Sequence, residues 1–247
     1  MKYLKYIGSK NRISKYIAPI LQQYIDEKNI KVYYEPFCGG ANMIDKIRCQ
    51  TRIGNDIHPQ LIAMFNELQN GWIPPSHITE EEYNKVRENK ETYPDYYVGY
   101  VGFNATFGAK YFGGYARSFK ADGITPRDQS NEAYRNLMNQ LPNLIDVKFI
   151  CSDYLNNQYC NLKDSVIYCD PPYQGVTKYS TGTFNYDAFW DWSRKMSKSN
   201  KVFISEYNAP DDFTCIWAKD HLANFDCNRG DDTTKKVRTE KLFTMRE

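Results

Sequence analysis

The sequence contains no Cys-x-x-Cys pair, and only three histidines are available to complete a metal site. Its seven cysteines, at positions 38, 49, 151, 160, 169, 215 and 227, are scattered and odd in number. That pattern fits reduced thiols in an intracellular protein, and no metal is expected. No run of about 18 apolar residues occurs, so no membrane span is expected. The start of the chain is charged rather than apolar, which argues against a secretory signal. Also missing is Gly-x-Gly-x-x-Gly, the dinucleotide fingerprint. Charge of one sign is nearly balanced, at +2 overall. Charge alone therefore identifies no nucleic-acid partner, although Lys2, Lys5, Lys10, Arg12 and Lys15 precede the first acidic residue. A second basic stretch carries Arg229, Lys235, Lys236, Arg238, Lys241 and Arg246.

What is plentiful is aromatic: 21 Tyr and 13 Phe. Half-buried core accounts for most of them, and a protein that stacks bases uses the same residues. Hydrophobic residues reach 41%, enough for a packed core. Five short apolar runs read as buried strands: Val32–Tyr34, Arg52–Gly54, Val147–Cys151, Ser165–Cys169 and Lys201–Glu206. Three of these end on a carboxylate or run directly into one, and the other two reach one after a single polar residue. In open α/β sheets the ligand crevice lies beyond the carboxyl ends of the strands, where such acids collect. Helical stretches such as Arg12–Lys28 and Tyr186–Ser197 separate the runs, giving a doubly wound α/β layout. The segment 57–146 interrupts this rhythm. A crossover needs only about a dozen residues, so this is an inserted subdomain.

Asp170-Pro171-Pro172-Tyr173 follows the fourth run directly. Two prolines hold the backbone extended and remove two N–H donors, leaving the Pro171 carbonyl and the Asp170 carboxylate as convergent acceptors. An exocyclic NH2 is what such a pair holds, and Tyr173 offers a ring for an extruded base. An ordinary proline turn after a strand is the plainer reading of the tetrad taken alone. Its context is Glu35-Pro36-Phe37-Cys38-Gly39-Gly40, where glycine lets backbone approach a ligand. Asp56, about twenty residues further on, is placed to bind a ribose diol.

In this order, the motifs resemble the α-group, Dam-like (D12 class) adenine-N6 DNA methyltransferases of phage type. They run from Tyr6-Ile7-Gly8-Ser9-Lys10 through Glu35–Gly40, Asn55-Asp56, the insertion and Ser152-Asp153 to Asp170–Tyr173. Arg238–Phe243 resembles the family's closing strand. Ser9 departs from the pattern, since the family usually has a second Gly there. The resemblance implies a Rossmann-like S-adenosylmethionine-dependent methyltransferase fold with a mostly helical target recognition insertion. The catalytic domain would comprise 1–56 and 147–247, with target recognition in 57–146. It implies S-adenosylmethionine as cofactor, enclosed by Tyr6, Lys10, Phe37, Gly39, Gly40, Asp56, Asp153 and Asp170. It also implies a catalytic role for Asp170, Pro171, Pro172 and Tyr173, with double-stranded DNA as partner.

Within the insertion, Phe103–Gly108 and Tyr111–Arg117 look like the DNA-reading region. Arg117 is able to read guanine bidentately and Asn104 to pair with adenine or a phosphate, with Lys110 and Tyr115 completing the set. A packed Tyr/Gly-rich loop is the bland alternative. Thr177–Phe184 reads as a lid over the site. Four activities remain in play: adenine-N6 methylation of DNA, methylation of another amine such as cytosine N4, methylation of RNA adenine, and a non-catalytic DNA-binding relic. Asp170 favours adenine, because cytosine-N4 enzymes usually carry Ser there and glutamine-modifying ones Asn. The intact tetrad speaks against a relic.

Overall fold

The computed structural model describes residues 9–119, 123–173, 184–222 and 237–246. Seven strands form one sheet: β1 (Val32–Glu35), β2 (Thr51–Asp56), β3 (Val147–Cys151), β4 (Val166–Cys169), β5 (Lys201–Glu206), β6 (Phe213–Leu222) and β7 (Val237–Met245). Their spatial order is β3-β2-β1-β4-β5-β7-β6. The first five are parallel, while β7 runs antiparallel to β5 and β6 antiparallel to β7. All five expected runs are strands and 238–243 lies within β7. β6 carries no clean alternation and was not foreseen; its pairing with β7 breaks register between Cys215 and Trp217.

Strand periodicity sorts side chains onto two faces. Tyr33, Val166, Tyr168, Phe203 and Leu242 pack on one face with α1 (Ser14–Glu27) and α2 (Pro59–Gln69). Tyr34, Ile167, Cys169, Val202, Ile204 and Phe243 pack on the other with α6 (Tyr186–Ser197). The result is a three-layer, Rossmann-like α/β/α sandwich. In α1 the buried positions Ile17, Leu21 and Ile25 recur every fourth residue, the spacing of one helical face. The helix starts two residues later than Arg12, because Lys10–Arg12 forms a separate 3-10 turn.

The segment 57–146 is helical, with α2, α3 (Glu80–Glu88), α4 (Asp95–Asn104) and α5 (Gln129–Gln140). α2 packs on the sheet itself. Its Phe65 stacks on Phe149 of β3 at 4.5 Å, and Gln69 donates to the carbonyls of Leu144 and Val147. α4 then crosses α2 so closely that a Cβ on Gly99 would lie 2.1 Å from the Gln60 carbonyl oxygen. Tyr83, Val98, Tyr100 and Val101 thereby join the same core cluster as the sheet.

Candidate active site

Strand order reverses between β1 and β4, since β1 leads outward through β2 to β3 and the chain then returns to β4. That switch point is where a crevice opens beyond the strand ends. Ile53 of β2 and Ile167 of β4 both align with Tyr34 of β1. Three residues later come Asp56, the last residue of β2, and Asp170, the first beyond β4, which the register brings to about the same height on either side of β1. Two strand spacings, about 10 Å, separate them.

Asp170 sits in a tight group of charges. The Lys10 ammonium is 2.9 Å from Asp170 Oδ1 and 3.1 Å from Glu240 Oε1. It also lies 4.1 Å from the centre of the Tyr173 ring. The Tyr173 hydroxyl donates to Glu240 Oε1. Lys10 is only 8% exposed and Glu240 4%. Burial opposes the Lys10 charge, but the two carboxylates outweigh it and raise the ammonium's pKa. Burial lifts Asp170 from 3.8 to about 6, with Lys10 pulling the other way. Burial, then Asp170 and Glu240, push the Tyr173 phenol well above its usual range, so it stays a donor. At the end of β1 Glu35 is buried and accepts the Tyr33 hydroxyl at 2.6 Å; desolvation pushes its carboxyl well up.

On the other side of β1, Gly39 adopts φ +46°, a left-handed conformation that favours glycine. Its N–H donates to Asp56 Oδ2 at 3.0 Å, while His58 N–H donates to Oδ1 at 3.0 Å. Burial raises the Asp56 carboxyl above 3.8. The Ile57 backbone N–H bonds the same carboxylate, so its oxygens accept three backbone donors out of about four acceptor sites. The Gln140 side chain of α5 donates to the carbonyls of Gly40 and Ala41, at 3.1 and 3.0 Å. Asn55 donates to Pro36 O and Ser152 O, binding the loops after β1 and β3 together. Phe37 packs against Tyr154, Phe184 and Phe189 with centroids 4.8 to 5.8 Å apart, an aromatic wall. Asp153 is exposed beyond β3, and its Oδ1 accepts Leu155 N–H.

Ser9 has φ −50° and ψ 125°, an ordinary conformation for an L-residue, so glycine's freedom is not needed there. Its hydroxyl accepts Asn11 N–H and the Asn42 amide, fastening the Lys10 turn to the Gly39–Gly40 loop region. Tyr6 and residues 177–183 of the expected lid lie outside the described residues. Phe184 is described and belongs to the aromatic wall.

The insertion requires a correction. Asn104, read as a base or phosphate contact, is only 3% exposed at the end of α4. Its amide donates to Tyr100 O at 3.1 Å, so this structure does not present it to DNA. Helical continuation through Asp95–Asn104 turns it inward. Tyr115 is half-buried and donates to Ile78 O at 2.8 Å. Lys110 and Arg117 are exposed, and Arg117 directs Nε and Nη2 onto the two oxygens of Glu80.

Two site residues escaped sequence reasoning. Glu240 stands on the buried face of β7 with Leu242 and Thr244, and a lone acid at an inward position was its only signal. His58 is buried between the Asp56 loop and Tyr111, whose ring is 4.4 Å away, and its Nδ1 has no hydrogen-bond partner among the described residues. Burial, with Lys90 nearby, lowers its pKa to about 4, so the ring is neutral. Among the described residues no group of three His, Cys, Asp or Glu could hold a metal ion, and no helix is long and apolar enough to cross a membrane.

Comparison with known proteins gives a consistent picture. Residues 6–207 match the family described as D12 class N6 adenine-specific DNA methyltransferase. The type II methyltransferase M.MjaIII of Methanocaldococcus jannaschii is 27% identical over 212 residues, covering 73% of this chain and 72% of that protein. The DNA adenine methylase of Haemophilus influenzae is 25% identical over 237 residues, covering 86% and 80%. The type II methyltransferase M.FokI of Planomicrobium okeanokoites is 24% identical, and there the match covers 31% of the longer protein.

Proposed function

Because the chain belongs to the D12 class of N6 adenine-specific DNA methyltransferases, we propose that it methylates N6 of an adenine flipped out of duplex DNA. The methyl group comes from S-adenosylmethionine, which supplies it on a positively charged sulfonium already activated for transfer. The observation that carries the reading is the near-equal height of Asp56 and Asp170 on either side of the β1/β4 switch point. That spacing suits an elongated cofactor with its ribose at Asp56 and its reactive end at the tetrad.

Asp56 would accept a ribose hydroxyl with its remaining acceptor site, while Phe37, Gly39 and Gly40 line the same side. Asp153 is the acid nearest the outer edge and fits the cofactor's adenine. At the tetrad, the Asp170 carboxylate and the Pro171 carbonyl would each accept one hydrogen of the target amine. Holding both hydrogens localises the nitrogen lone pair and directs it in line. Positive charge grows on N6 as the bond forms, so the carboxylate stabilises the transition state more than the ground state. N6 then sheds one proton, and Asp170 is an acceptor within reach. Tyr173 would stack on the extruded base.

Target recognition is assigned to 57–146, with Lys110 and Arg117 as its exposed cations and Tyr115 as an anchored aromatic. Arg117 must leave Glu80 to read a guanine. A radiolabelled methyl donor, offered with unmethylated duplex DNA, RNA and cytosine-only target duplexes, tests the assignment. Label on N6-methyladenine in duplex DNA is expected. Label on cytosine, on RNA, or on nothing would overturn it.

A further inference from the structure

We propose that Glu240, on the antiparallel strand β7, is a positioning residue for methyl transfer, serving as the alternative berth for the Lys10 ammonium. This rests on the function proposed above. In the free protein the Lys10 ammonium lies on Asp170 Oδ1 and over the Tyr173 ring, the two groups assigned to the target's amine and base. An entering adenine must displace it. A buried ammonium cannot move into a site without a counter-charge, because stranding it costs far more than the move gains. Glu240 provides that charge at 3.1 Å, so Lys10 is able to leave Asp170 without losing ionic contact. The same carboxylate accepts the Tyr173 hydroxyl and fixes the ring while the ammonium shifts beside it. The residue lies outside 6–207, the stretch that carries the family match.

The groups facing Asp170 are Lys10, Glu240 and Tyr173, with Tyr168 and Glu35 also near. Replacing Glu240 by a neutral amide leaves Lys10 with Asp170 as its one carboxylate among these contacts. Glu240→Gln is therefore expected to raise KM for DNA about tenfold, the worth of one charged hydrogen bond. Affinity for S-adenosylmethionine should stay at the wild-type value. A 2-aminopurine at the target position should show correspondingly less flipping fluorescence, with Glu240→Asp recovering part of it. Carbon-13 titration of the Asp170 carboxyl in the free protein should move below the wild-type midpoint in Glu240→Gln, since a neighbouring negative charge has gone.

Unchanged KM, flipping and Asp170 titration in a folded Glu240→Gln would overturn the inference, as would a loss of thermal stability with all three unchanged. Should Glu240→Gln fail to fold, Glu240→Asp is read alone: reduced flipping supports the berth, and wild-type flipping overturns it. A wild-type protein that methylates no DNA adenine would instead sink the proposed function, while the Asp170 titration still reads the Lys10–Glu240 contact.

Discussion

Arg117 and Glu80 face each other as fork and carboxylate, with Nε 2.9 Å from Oε2 and Nη2 on Oε1. The pair is exposed, so it contributes little to stability. The carboxylate meets the guanidinium with the same bidentate geometry that a guanine edge would offer. Arg117→Ala is expected to reduce discrimination between the preferred and mismatched sites on the order of tenfold. Competition binding on site variants measures it. A uniform loss on every sequence would make Arg117 a phosphate contact instead.

Glu80→Gln removes the carboxylate that holds this guanidinium. Non-specific affinity should rise, and the dependence of log K on log salt should steepen by up to about one ion released. A salt titration on unrelated duplexes is the check; an unaltered slope would mean that Arg117 stays away from the DNA.

Asp170→Ala should abolish nearly all turnover while DNA affinity remains close to wild type, because the carboxylate acts on the amine in the transition state. The pH dependence follows from the elevated carboxyl. In the proposed mechanism activity needs the carboxylate, so in the free enzyme kcat/KM should fall as pH drops through about 6. Stability runs the opposite way. Between the ordinary 3.8 and about 6 the folded state binds more protons at Asp170 than the unfolded state. This group's contribution to stability therefore diminishes as pH rises through that window. Comparing wild type with Asp170→Asn by thermal melts across the window isolates it, and a contribution that grew with pH would refute the assignment.

Asp56→Ala removes the partner of Gly39 N–H and His58 N–H as well as the proposed ribose acceptor. S-adenosylmethionine affinity should fall by about 1–3 kcal/mol, the cost of losing charged hydrogen bonds. Calorimetry measures it, and wild-type affinity would place the ribose elsewhere.

Gly99→Ala puts a methyl group against the Gln60 carbonyl at 2.1 Å, forcing α4 away from α2. Overpacking of this kind costs about 1–3 kcal/mol, or a Tm drop of roughly 2–12 °C. A melt unchanged from wild type would show that the helices separate freely.

The parallel half of the sheet was legible because each strand is a short apolar run ending at an acid or Ser-Asp, and burial on both faces demands such runs. Asp56 and Asp170 were readable for the same reason. Asn104 was misread because polarity in a glycine- and aromatic-rich stretch looks like surface, whereas α4 directs it inward onto its own Tyr100 carbonyl. Glu240 was missed because its contacts join residues far apart in sequence: Lys10 lies near the beginning of the chain and Tyr173 follows the fourth strand. Ser9 departed from the family pattern, yet its dihedrals need no glycine and its hydroxyl ties down the turn.

Gln140 belongs to the last helix before the chain re-enters the sheet, and its amide holds two carbonyls of the glycine loop a hundred residues upstream. The loop that would cradle the cofactor and the helix that closes the proposed recognition segment thus share one fully buried pair of bonds. Any coupling carried through this contact must be mutual: whatever factor DNA exerted on cofactor affinity, cofactor would exert on DNA affinity. One glutamine side chain thus joins the loop proposed for the cofactor to the segment proposed to read DNA.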